Sequence, residues 1–163
     1  MTTINKEISI NKSIEAAWKV LGLEFAQADK WASSVKHSEA RDTKSFKGSS
    51  CSERGCEIPG MGSIKEKLLK YSDTDYLLSY QVYDGMPVMV KFMSNTWQLH
   101  ATSANSCKLT MKMEMKTGRL MGVIMKPMIK MQMSGMANKI VEDFKYYLEN
   151  GKPHPRKIKS LKK

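Results

Sequence analysis

The sequence predicts an α+β fold in which a curved antiparallel sheet is covered by one long C-terminal helix. Three observations carry that prediction. From Pro127 to Glu149 the large apolar residues Ile129, Met133, Met136, Ile140, Phe144 and Tyr147 recur three or four apart, the spacing of a helix with one apolar side. Between residues 35 and 117 six stretches of alternating character are separated by short runs of Gly, Pro, Asn, Asp and Ser, the chemistry of tight turns between antiparallel strands. In front of them stand one further strand and two brief helical segments.

In chain order, Ile4 to Ile10 sets Ile4, Lys6, Ile8 and Ile10 on one side of a strand. Ser13 is placed to cap a short helix carrying Ala17, Trp18 and Leu21, which Gly22 should end. A second helix is expected over Phe25 to Ala32, with Trp31 as its anchor. Strands follow at Val35 to Thr43, Cys51 to Ile58, Gly62 to Ser72, Tyr76 to Tyr83, Val90 to Thr102 and Ser106 to Thr117. Alternation is clearest in the last, where Leu109, Met111, Met113 and Met115 oppose Thr110, Lys112, Glu114 and Lys116. The same reasoning turns Arg54, Cys56 and Ile58 inward. It does so as well for Ile64, Glu66 and Leu68, for Tyr76, Leu78, Tyr80 and Val82, and for Met93, Asn95, Trp97, Leu99 and Ala101. Gly118 to Gly122 reads either as a lid hinge or as a plain turn into the helix. That helix shows Lys130, Ser134, Asn138, Lys139, Glu142 and Lys145 to solvent, tolerates Pro127 in its first turn and stops at Asn150-Gly151. At ~1.5 Å per residue it is roughly 35 Å long, so it needs a sheet of similar extent beneath it.

A chain of 163 residues fits one domain, expected over 1–150. The net charge of +11 suggests nucleic acid until it is located: Lys152, Arg156, Lys157, Lys159, Lys162 and Lys163 supply six positive charges from a tail with no acid. With Pro153 and Pro155 in it, residues 151–163 read as a disordered, solubilising end, able at most to touch an anionic surface weakly. No strand interleaves basic and aromatic residues as single-strand nucleic-acid platforms do, so no specific nucleic-acid partner is expected. The polar start, Met1 to Ile10, and the lack of any run near 20 apolar residues point away from export and membrane insertion. Cys51, Cys56 and Cys107 then read as reduced thiols in the cytoplasm.

The segment from Ile8 to Leu21, Ile-Ser-Ile-Asn-Lys-Ser-Ile-Glu-Ala-Ala-Trp-Lys-Val-Leu, followed by Trp31, resembles the opening strand and helix of the START-like (SRPBCC) superfamily. Arg54-Gly-Cys56, Glu66-Lys-Leu68, Tyr80 and Gly85-Met-Pro87 stand where its polyketide cyclase/dehydratase-like branch has similar residues. The resemblance covers Ile4 to Glu149 and implies the helix-grip fold: seven antiparallel strands wrapped around the long helix, with a ligand cavity between. Methionine is where the chain departs from it, with nine of fourteen lying between Met111 and Met136. Flexible thioethers suit an adaptable cavity wall, and they suit an ordinary core equally.

Candidate site residues follow from the inward phases. Arg54, Glu66, Tyr80 and Asn95 are polar groups aimed at an apolar interior, with Met93, Trp97, Met111, Met113, Met133 and Met136 as its greasy wall. A buried charge needs a partner, so Arg54 and Glu66 are expected to pair across neighbouring strands. Alternatively the four polar groups form the polar end of a ligand cavity. In an enzyme, Glu66 would act as general acid or base with Arg54 or Tyr80 polarising an oxygen. His37, His100 and His154 do not share metal-ligand spacing, and the Cys51 to Cys56 gap is not a CxxC, so neither metal nor cofactor is expected. The leading expectation is a binder or carrier of a hydrophobic small molecule of lipid or polyketide-like chemistry. The alternatives are a cyclase/dehydratase-like enzyme using the same cavity and a chaperone-regulating interaction module working through the outer sheet and the tail.

Overall fold

The computed structural model describes residues 1–42, 46–118 and 125–161. Seven strands form one antiparallel sheet: β1 (Thr2–Ile10), β2 (His37–Ala40), β3 (Glu53–Ile58), β4 (Gly62–Ser72), β5 (Leu77–Asp84), β6 (Val90–Ser103) and β7 (Ser106–Thr117). Their spatial order is β1-β7-β6-β5-β4-β3-β2, so every pair except β1–β7 joins sequence neighbours. Pairing between β4 and β5 is irregular at Lys65/Glu66 and again at Leu68/Lys70, the kind of bulge that bends and twists a strand locally. Gly85, with φ of 82°, lets the β5–β6 turn press on β4; a Cβ there would stand 2.1 Å from the Ser63 carbonyl oxygen.

Helix α1 (Ile14–Trp18) is capped by Ser13, whose Oγ accepts from the Ala16 N–H at 3.3 Å. Gly22 does not end this segment. A π turn carries it on over Lys19–Leu23, and Gly22 serves by leaving room for the Trp18 indole, which a Cβ would meet at 2.5 Å. A 3₁₀ segment over Phe25–Lys30 follows. Helix α2 (Lys126–Asn150) lies along β1 with lighter contact to β7, and Gly151 closes it in the left-handed conformation at φ of 66°. Trp31, Trp97 and Phe144 meet edge to face with centroids 5.2 to 6.3 Å apart, which ties the N-terminal helices, the sheet and α2 into one core. Among the described residues no helix is long and apolar enough to cross a membrane.

The face of α2 that meets the sheet is rotated from the one its large residues suggest. Met133, Ala137, Val141, Phe144 and Leu148 are buried, while Ile129, Ile140 and Tyr147 are half-buried and Met136 is exposed. Small side chains occupy the line of closest approach because the helix lies tight on the sheet. Strand β2 is shorter than the alternation suggests, with Val35 left outside it, and Thr43 lies outside the described residues. Strand β3 begins at Glu53, two residues later than expected. His37 faces out, near Asp29 and Glu39, and Ala101 is exposed. Of the Gly118–Gly122 stretch, residues 119–122 are outside the described residues.

The tail is a second correction. Residues Pro155–Ser160 form a helix, α3, in place of the disorder expected from composition. His154 caps it, and Pro155 sits in the first turn where its missing N–H costs nothing. Arg156 Nε donates to Asp143 Oδ1 at 2.6 Å and its second nitrogen reaches Glu142 at 2.8 Å. Lys157, only 2% exposed, donates to the Val35 carbonyl, and Ser160 Oγ donates to that of Ser33 at 3.3 Å. Asp143 Oδ2 in turn accepts from the Ser33 N–H at 2.8 Å. Charge that looks solvated along the chain is thus drawn down onto one buried carboxylate.

Candidate functional site

Register places the polar residues. Arg54 on β3 stands directly opposite Glu66 on β4, and Tyr80 on β5 directly opposite Asn95 on β6. Both pairs point to the concave side because period-two alternation carries them there with Cys56, Leu68, Val82 and Trp97. Arg54 Nε donates to Glu66 Oε2 at 2.5 Å and a terminal nitrogen donates to the Phe25 carbonyl at 2.6 Å. The guanidinium lies 4.1 Å from the Phe25 ring centroid and 4.9 Å from that of Tyr80. The Cys56 thiol donates to the same Glu66 oxygen at 3.5 Å.

With Arg54 at 7% and Glu66 at 5% exposure, the pair sits where charges are costly and mutual attraction is strong. Burial alone would favour neutral Arg54; the adjacent Glu66 outweighs it and holds the guanidinium pKa above its ordinary value. Burial pushes the Cys56 thiol up to about 12, with Arg54 opposing and Glu66 adding. Tyr80 is raised as well, first by burial and then by Glu66. At neutral pH the thiol and the phenol both keep their protons, so neither supplies a ready nucleophile.

These groups line one side of a cavity of about 120 Å³ between the sheet, the N-terminal helices and α2. Phe25, Trp31 and Val35 close it from the helices, Met93, Met113 and Trp97 from the sheet, and Met136 and Ile140 from α2. An apolar cavity of about 150 Å³ accepts benzene, so the space suits one ring or a short branched chain before any side chain moves. Ser34 and Met136 line both this cavity and a groove outside it, between the 32–35 segment and the middle of α2. Two buried polar atoms on residues that line it, Asn95 Oδ1 and Trp97 Nε1, have no hydrogen-bond partner among the described residues. The Trp97 N–H opposes the rise in the Tyr80 pKa without reaching it at hydrogen-bond geometry. Each such orphan costs about 1–3 kcal/mol.

Residues 1–149 match the model of the family described as polyketide cyclase / dehydrase and lipid transport. The chain belongs to that family. Known structures agree at the level of fold. The di-domain ARO/CYC protein BexL aligns with a TM-score of 0.75 at 12% identity over 91% of this chain and 47% of its own. A START superfamily protein from Mycobacterium smegmatis aligns at 0.74 with 10% identity, covering 91% and 98%. The XoxI protein from Bacillus cereus aligns at 0.73 with 16% identity, covering 92% and 97%. No curated protein is significantly similar in sequence.

Within this family member, eight of the ten residues expected at the site surround the cavity: Arg54, Glu66, Tyr80, Met93, Asn95, Trp97, Met113 and Met136. Met111 and Met133 do not. Both point inward as expected but lie in solid core, each at 2% exposure, beyond the cavity's edge. The sequence reading missed the contribution of the N-terminal segments, Val20, Leu21, Phe25, Ala28 and Val35, and of Met61 and Met86 on the turns. The paired small helices themselves were the available signal, since helices placed between the first two strands must cover part of the concave face. Among the described residues no group of His, Cys, Asp or Glu is placed to hold a metal ion.

Proposed function

We propose that the protein binds or carries a hydrophobic small molecule, of lipid or polyketide-like chemistry, in the cleft between α2 and the sheet, working in the cytosol where its three free thiols persist. One observation carries the reading: a cavity walled almost wholly by carbon and sulfur, beside α2, with unpartnered polar atoms buried on residues that line it. A core selected for stability alone would fill that space or satisfy those atoms. Met61, Met86, Met93, Met113, Met115 and Met136 reach it from four strands or turns and from α2, and each can change rotamer to widen it for a larger guest. Burial of the guest, at ~25 cal/mol per Å² of apolar surface, supplies most of the affinity. The family description, which names lipid transport, agrees with this use of the fold.

Native mass spectrometry of gently purified protein, with thermal shifts against fatty acids, sterols and aromatic polyketides, tests the proposal. A co-purified apolar mass or a rise in Tm of several degrees supports it. Absence of both across the whole panel overturns it.

A second reading, an enzyme of the cyclase/dehydrase class, draws on the presence of Arg54, Glu66 and Tyr80 in the cavity wall. It requires Glu66→Gln to lose turnover of a polyketide-like substrate while retaining its binding.

A further inference from the structure

The geometry points to a neutral hydroxyl, on an apolar body of about one ring, as the head group this cleft selects, with carboxylates and phosphates excluded. This inference rests on the cleft being a ligand site and goes on to name the ligand's chemistry. Asn95 and Trp97 are 4% and 1% exposed and stand two residues apart on β6, so both side chains leave the same face of the strand. Among the described residues Asn95 Oδ1 is an acceptor without a donor and Trp97 Nε1–H a donor without an acceptor. A hydroxyl matches either atom, because its oxygen accepts and its hydrogen donates. Rotating the Asn95 amide exchanges Oδ1 for Nδ2, and a hydroxyl still matches.

Charge argues against an anionic head. Among the described residues Arg54 and Glu66 are the only formally charged ones in the lining, and they neutralise each other. Arg54 is further engaged by the Phe25 carbonyl and covered by two rings. An incoming carboxylate would have to displace Glu66 from Arg54 or lie beside it unpaired, and both are unfavourable in a buried site. Size favours a small apolar body over a long chain, since about 120 Å³ is close to the space one ring needs and the methionines of the wall must shift to admit more.

The discriminating experiment titrates the full chain by calorimetry at neutral pH with para-ethylphenol, ethylbenzene and para-ethylbenzoate, which share a body and differ in head group. Only the benzoate is charged under these conditions. The phenol is expected to bind at least about tenfold tighter than either of the others. In Asn95→Leu the phenol's advantage over the hydrocarbon should shrink to within about threefold while hydrocarbon affinity holds, which also shows that the site is still folded. Trp97→Phe provides the same test from the donor side. Benzoate binding as tightly as the phenol overturns the head-group assignment and leaves the binding function standing. Equal affinity of phenol and hydrocarbon overturns it too, and means that solvent rather than ligand meets the two polar atoms. If none of the three binds, and the lipid panel also fails, the cleft is not a ligand site and both readings fall.

Discussion

Two clusters of buried charge hold this molecule together, and they are built on opposite principles. Arg54 and Glu66 sit twelve residues apart on adjacent strands, so their meeting follows from strand register. Asp143, Arg156 and Lys157 join α2, α3 and the 32–35 segment over separations of 110 to 122 residues where they touch that segment. The first cluster stiffens the wall of the cavity. The second pins the segment that carries Ser34 in the cavity wall, so a stretch of chain that looks like a solubilising tail fixes part of that wall. Buried charge in the sheet reports where strands align, whereas buried charge under the tail reports what holds the 32–35 segment in place.

Breaking the first cluster should have the larger effect. Glu66→Leu leaves Arg54 charged and unpaired in a dry site and is expected to cost about 3–5 kcal/mol in denaturant unfolding. Asp143→Ala should cost about 1–3 kcal/mol, because Arg156, whose side chain is 27% exposed, can turn back to water. Its signature is local: hydrogen exchange should quicken over residues 32–36 and stay unchanged in β3 and β4. A loss spread over the whole sheet would show that the second cluster is not a separate latch.

Alkaline titration sharpens the contrast because the two clusters respond with opposite sign. The Cys56 proton is held in the folded chain to about 12 and released by the unfolded chain near 9, so its contribution is complete below pH 9 and drains away above it. Between about pH 8 and about pH 10 this amounts to ~1.4 kcal/mol, which Cys56→Ser should largely remove. Lys157 behaves the other way. Burial depresses its pKa, with Asp29 and Asp143 opposing, so its burden is greatest at low pH and eases as pH rises toward the ordinary lysine range. Lys157→Met should therefore steepen the alkaline loss. The smallest effect is expected from Arg54→Met combined with Glu66→Leu, which removes both charges and should fall within about 1 kcal/mol of the starting chain. A double variant as unstable as Glu66→Leu alone would mean that the pair does more than cancel its own desolvation.

Strand phase explains why the first cluster was legible in the sequence and the second was not. Alternation with period two puts Arg54 beside Cys56 and Glu66 between Ile64 and Leu68, so their inward aim can be read without coordinates. Nothing comparable marks Asp143: it lies beside Glu142 on a helix whose large residues advertise a different face, because Ala137 and Val141 are too small to announce the line of contact. Composition misled at the tail, since prolines that break helices in mid-element also start them, as Pro155 does. Alternation likewise cannot divide one inward face into cavity wall and solid core. Met113 lines the cavity and Met111 does not, and what separates them is the curvature of the sheet and the overlying helices, neither written in either residue.

The pairing of β1 with β7 has a consequence for how the chain is made. Residues 2–10 precede the other strands of this sheet, yet their partners are residues 107–115, so this pairing closes a far longer loop than the others, which join neighbours in sequence. Lys6 and Glu7 place charge on what is also an edge strand of the sheet, a feature that discourages stray pairing. Because α2 lies along β1, the strand that closes this long loop also carries the helix that roofs the cup.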